Sequence, residues 1–119
     1  MFHYADVLYG DLDPSRGHEQ TKRRPLIVVS NDSFNARSNM TFVVPVTSTD
    51  NGYPLHVDIG MVDMDNGDVI EGFACVEQAK SLDMYARKGV VVGRMSHEVM
   101  QDITDKLLAC LLTPTQVVR

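Results

Sequence analysis

No apolar run in the chain exceeds six residues; the longest, Leu107 to Leu112, falls far short of the ~18 that a membrane span requires. The opening, Met1-Phe2-His3-Tyr4-Ala5-Asp6, lacks a basic segment and carries an acid by position six, so it does not read as a signal peptide. Cysteine is scarce: Cys75 and Cys110 stand 35 positions apart with no CxxC pair, which suits a reduced compartment and points to the cytoplasm. GxGxxG, P-loop and GxSxG patterns are missing. His3, His56 and His97 show neither HxH nor HxxxH spacing, so the sequence gives a metal site no support, and no cofactor is expected. Aromatic residues make up only 7%, too few to name a base-stacking platform.

What remains is an ordinary globular composition, 44% hydrophobic and 23% charged over 119 residues, read as one domain spanning 1–119. A domain of that size buries roughly 65% of its unfolded surface and needs no disulfide or metal to fold. The net charge of -5 argues mildly against a nucleic-acid partner, but its distribution reverses that reading. Residues 48–76 hold six acids (Asp50, Asp58, Asp63, Asp65, Asp68 and Glu71) and no Lys or Arg, while the segments on either side are close to neutral. Charges are screened over about 8 Å at physiological salt, so a basic face elsewhere can still bind phosphate.

Hydrophobic patterning predicts five or six short strands and one long helix. Tyr4 to Tyr9 is β-prone, and Leu26-Ile27-Val28-Val29 is a continuous apolar run expected to be buried on both faces. Ser30 to Asn39 is polar, with room for a helical turn starting near Asp32 or Ser33. Thr41 to Thr47 reads as a strand whose Pro45 suggests an edge or a bulge. Asp50-Asn51-Gly52 makes a turn, and Leu55 to Ile59 alternates like a half-buried strand. Asp65-Asn66-Gly67 predicts a hairpin through a type I′ turn into a strand from Val69 to Gln78. Val90 to Val92 forms another strand, ended by Gly93. Ser96 then offers an N-cap to a helix whose Val99, Ile103, Leu107 and Cys110 share a face, with Pro114 as its stop. The sum is a small β-barrel with a C-terminal amphipathic helix packed on it.

The most unusual stretch is the loop Gly17-His18-Glu19-Gln20-Thr21-Lys22-Arg23-Arg24-Pro25, which gathers an imidazole, a carboxylate, an amide, a hydroxyl and three cations before a buried strand. A polar loop rooted in a rigid strand suits a binding or catalytic site, although a solvated connection has the same composition. His18 is a candidate acid or base, or simply a loop histidine bonded to backbone. Arg24 stays cationic and can hold a phosphate by paired hydrogen bonds; Pro25 restricts it to extended backbone. Thr47, closing its strand, can donate a hydroxyl to a phosphoryl oxygen or bond to its own backbone. Glu77-Gln78 closes a later strand just before Lys80.

Taken in order, these segments resemble the MazF/PemK/Kid family of bacterial toxin ribonucleases. The likeness rests on Asp11-Leu12-Asp13-Pro14 with Gly17-His18-Glu19-Gln20, and on Arg24-Pro25 leading into Leu26 to Ser30. Further on it rests on Phe34-Asn35, Pro45-Val46-Thr47, Tyr53-Pro54, Glu77-Gln78 with Ser81-Leu82-Asp83, and Gly93-Arg94. It implies a mainly β, SH3-like barrel of the plasmid-maintenance toxin type, with a short helix after the second strand. It also implies a homodimer that cuts single-stranded RNA without a metal, blocked by a cognate antitoxin protein whose disordered segment folds onto it.

In this family catalysis is assigned to the arginine before proline and the threonine of the PxT strand end, here Arg24 and Thr47, with the loop glutamate, Glu19, linked to the site. In the plasmid-toxin branch a histidine matching His18 helps bind RNA and a carboxylate matching Glu77 is proposed as the base. That branch has an arginine two residues before this carboxylate, where Cys75 stands here, and Ala5 occupies a frequent glycine position.

The expected reaction is attack of the RNA 2′-OH on its own phosphorus, giving 2′,3′-cyclic phosphate and 5′-OH ends. Arg24 stabilises the charge on phosphorus, and Thr47 positions the phosphate. Glu19, His18 and Glu77 remain candidates for the base. Arg16, Lys22, Arg23, Lys80 and Arg87 are expected along the RNA backbone, Gln20, Glu77 and Gln78 are expected to bind the RNA as well, and base readout is expected from the loops 11–23 and 48–54. A non-enzymatic gyrase poison on the same barrel is the alternative, because fold alone does not decide activity.

Overall fold

The structure, a computed structural model, describes residues 1–11, 24–50 and 52–113. Seven strands are present: β1 (Asp6–Tyr9), β2 (Pro25–Val28), β3 (Thr41–Thr47), β4 (His56–Asp63), β5 (Val69–Cys75), β6 (Lys80–Leu82) and β7 (Val90–Arg94). Helix α1 (Asp32–Arg37) follows β2, a 3-10 turn (Val76–Gln78) follows β5, and α2 (His97–Leu111) follows β7. The strands pair antiparallel in the order β4-β5-β3-β2-β1-β7, with β6 also on β3. The outermost strands approach each other where the Asp65 amide donates to the Val92 carbonyl at 2.8 Å. The sheet is thus a curled half-barrel.

Its inner strands are buried on both faces, as the uninterrupted apolar run of β2 predicts. Val7, Ile27, Val44 and Val46 enter one core with Met100 and Ile103 of α2, while Leu8, Leu26, Val28 and Val43 enter a second with Phe2 and Met84. Asn31 and Ser96 cap the two helices, accepting from the Phe34 and Val99 amides at 2.8 and 3.2 Å.

The expectations from sequence hold in outline and differ in several details: seven strands form rather than five or six, and β7 runs through Gly93 to Arg94 instead of ending at Gly93. β3 is an inner strand, and Pro45 sits where its partner changes: pairing with β6 stops at Val43 and pairing with β5 begins at Val46, so the missing N–H falls in a gap between ladders. The β4–β5 hairpin forms, but among Met64 to Asp68 only Gly67 has positive φ (93°), so the turn is not type I′; the Gly67 amide closes it on the Met64 carbonyl at 3.0 Å. β4 runs to Asp63, past a bulge at Gly60, and β5 yields to the 3-10 turn before reaching Gln78. In α2 the buried residues are Met100 and Ile103, whereas Cys110 is exposed; the helix ends at Leu111, and Pro114 lies outside the described residues. Ala5, at the family's frequent glycine position, has φ 77°, the left-handed conformation that glycine adopts without cost.

Candidate active site

Register brings the two principal residues together. β2 and β3 pair with Leu26 opposite Pro45 and Ile27 opposite Val44. Two residues further along the same antiparallel register, Arg24 falls opposite Thr47, so 23 positions of sequence separation become one cross-strand step. Both line a cleft of about 410 Å³ with Tyr9, Ser48, Thr49 and Glu71. Arg24 is exposed, and among the described residues no carboxylate pairs with its guanidinium. Its guanidinium can therefore donate to an incoming anion.

The Thr47 side chain is half-buried, and its Oγ1 accepts from the Thr49 amide at 3.2 Å. One lone pair thus holds the hydroxyl in place while its proton remains available to a phosphoryl oxygen. From behind, β5 fixes the same strand end: Thr47 pairs with Phe73, and the next residue, Gly72, has φ 140°. A Cβ on Gly72 would collide with the Thr47 carbonyl oxygen and lie 2.9 Å from its carbon. Only glycine lets the two backbones come this close.

A second concave surface of about 430 Å³, lined by Asp58, Met61 and Phe73, continues from the first through Ser48 and Glu71. The sequence does carry one sign of this floor, the hydroxyl run Thr47-Ser48-Thr49. Tyr9 and Glu71 reach the cleft only through folding. Tyr9 Oη donates to Asp68 at 3.2 Å, and burial first, then this bond and the Asp68 charge, push its pKa above the usual 10.0.

Glu77 sits on the 3-10 turn, outside the lining of the cleft, and its Oε2 lies 3.1 Å from His56 Nε2. Gln78 donates to the same oxygen at 3.4 Å. Cys75 is buried beside them; burial, then the Glu77 charge, raise its pKa, against a lowering by Arg24. Lys80 is exposed on β6. Arg87 donates to the Asp11 carbonyl at 3.1 Å, a bond that ties the turn after β6 to the end of the described N-terminal segment. Arg16, His18, Glu19, Gln20, Lys22 and Arg23 lie outside the described residues.

A family profile described as PemK-like, MazF-like toxin of type II toxin-antitoxin system matches residues 4–111. The chain belongs to this family. It is 32% identical over 103 residues to the endoribonuclease toxin MazF of Escherichia coli K12, covering 87% of each chain. It is likewise 32% identical over 112 residues to the Escherichia coli endoribonuclease PemK, covering 90% of this chain and 80% of that one. In fold it is similar to an endoribonuclease solved in complex with its cognate antitoxin from a mycobacterial species, with a TM-score of 0.74 at 21% identity, over 96% of this chain and all of the other. As a PemK/MazF-family chain, it carries Arg24 immediately before β2 and Thr47 at the end of the adjoining β3.

Proposed function

We propose that this protein is a metal-independent endoribonuclease toxin of a type II toxin-antitoxin pair. It cleaves single-stranded RNA, leaving 2′,3′-cyclic phosphate and 5′-OH ends, and thereby halts growth. The observation that carries the reading is the cross-strand placement of Arg24 and Thr47 in one open cleft. The RNA 2′-OH attacks the adjacent phosphorus, and charge accumulates on the phosphoryl oxygens. The Arg24 guanidinium neutralises that charge, and the Thr47 hydroxyl, oriented by the Thr49 amide, donates to one oxygen. Glu19, His18 and Glu77 are the base candidates. In this proposal Arg24 also supplies the proton to the leaving 5′ oxygen. Arg16, Lys22, Arg23, Lys80 and Arg87 follow the backbone, and Gln20, Glu77 and Gln78 also bind the RNA.

Family membership supports a cognate antitoxin as partner, and a homodimer as the working unit is part of the proposal. Exposed Leu108, Leu111 and Leu112 at the end of α2 leave apolar surface for such contacts. Two free cysteines fit a cytoplasmic setting. The gyrase-poison alternative finds no support, since the relatives named above are endoribonucleases.

The test is incubation of the protein with long single-stranded RNA in EDTA, followed by end mapping. Discrete fragments with cyclic-phosphate ends are expected, and replacing the 2′-OH before the cut with hydrogen should abolish that cut. Intact RNA, or cleavage that survives loss of the 2′-OH, contradicts the proposal.

A further inference from the structure

Beside the Arg24 cleft the fold assembles three unlike metal ligands that no sequence spacing announces. His56 and Cys75 are direct cross-strand partners on β4 and β5, which puts both side chains on one face of the sheet. Glu77 follows in the 3-10 turn. One ligand atom from each residue lies within 4.8 Å of the other two. A tetrahedral zinc site with three protein ligands and one open position uses this kind of nitrogen, sulfur and oxygen set.

A second observation points the same way. The His56 side chain is only 6% exposed, its Nε2 faces Glu77, and its Nδ1 is buried with no hydrogen-bond partner among the described residues. Neither neutral tautomer removes the mismatch. With the proton on Nε2, Nδ1 is an unused buried lone pair. With the proton on Nδ1, a buried N–H is unpaired and Nε2 directs its lone pair at a carboxylate. An ion on Nε2 removes the conflict on the Glu77 side: it takes the lone pair that otherwise faces a carboxylate, and the proton stays on Nδ1. The Tyr53 ring, 5.4 Å away between centroids and nearly perpendicular at 86°, packs against the imidazole.

We infer that His56, Cys75 and Glu77 form a binding site for one Zn²⁺-class ion. Binding exchanges the Cys75 thiol proton for the ion and releases that proton to solvent. The bound ion occupies the Glu77 carboxylate, one of the base candidates, so it acts as an inhibitor of RNA cleavage. This inhibitory consequence rests on the ribonuclease reading; the binding itself does not.

The experiment is a titration of the full chain with Co²⁺, a spectroscopic stand-in for Zn²⁺. Expected is one equivalent bound, with a thiolate-to-cobalt charge-transfer band that stoichiometric Zn²⁺ removes. Cys75→Ser should lose the band and Cys110→Ser should keep it. His56→Gln, checked for folding by circular dichroism, should weaken binding by more than the ~10–100-fold typical of losing an outer-shell partner. No band with the wild-type chain, or a band that persists in Cys75→Ser, overturns the site. In parallel, Zn²⁺ should slow RNA cleavage by the wild type and not by Cys75→Ser. A cobalt band with cleavage indifferent to Zn²⁺ overturns the inhibitory role. Absence of cleavage under every condition counts against the nuclease reading and leaves the cobalt result to decide the site.

Discussion

A methyl group on Gly72 has nowhere to go, because the Thr47 backbone already occupies its space. Gly72→Ala should push the end of β3 away from Arg24 and reduce cleavage by about 10²-fold, the order expected when a reacting group is misplaced by an ångström. Gly60→Ala is the control: it also has positive φ (68°), but open space surrounds it. Its cost should be confined to stability, roughly 1–2 kcal/mol for the left-handed backbone, with cleavage by the folded fraction retained. Urea titration and a single-turnover assay on the same samples separate the two effects. Arg24→Ala should lose more activity than His18→Ala, because removing the charge-stabilising donor costs ~10²–10³-fold and no other described residue supplies that charge to the cleft. Equal and negligible losses would remove both from the mechanism.

Helix α2 begins where Ser96 caps the Val99 amide and docks through Met100 and Ile103. Ser96→Ala should lower unfolding free energy by about 1 kcal/mol, read as a shifted urea midpoint at unchanged slope, and leave cleavage by the folded enzyme intact. This helix was legible because its signals are local: a cap, an amphipathic period and a following proline. β3 was legible for the same reason, since a β-branched run between polar segments marks its bounds at Thr41 and Thr47. What escaped was non-local. Three-residue β6 is too short to show a period, and it exists because β3 offers it a free flank. The Asp65-Asn66-Gly67 signal located the hairpin but not its turn geometry, since the Met64 amide bonds to Asp68 and draws one more residue into the loop on each side. Arg24 and Thr47 were visible as chemistry, yet their meeting depends on the β2–β3 register. The His56–Cys75–Glu77 group depends on the β4–β5 register in the same way.

Across the whole molecule, acidic charge is gathered between residues 48 and 76, and part of it lies on the floor of the cleft as Glu71 and Asp58. Phosphate binding therefore depends on the surrounding cations and should weaken steeply with salt. Lys80→Ala should reduce the log–log salt slope of binding to an uncleavable deoxy analogue by about 0.7, the value for one phosphate contact on a single strand. Stability should also respond to alkali through Tyr9. Its pKa is raised in the folded state, so its contribution is complete below the ordinary value of 10.0 and is lost as pH rises from there through the folded value. Tyr9→Phe should flatten that part of the pH–stability curve; an unchanged curve would remove Tyr9 as the cause. The most direct measurement is a double-mutant cycle on single-turnover cleavage with Arg24→Ala, Thr47→Ala and the pair. If both side chains act on one phosphate, the double variant should be little slower than Arg24→Ala alone, since residues that act as a unit do not multiply their losses. Losses that multiply independently, or single variants as fast as the wild type, would contradict a shared phosphate site.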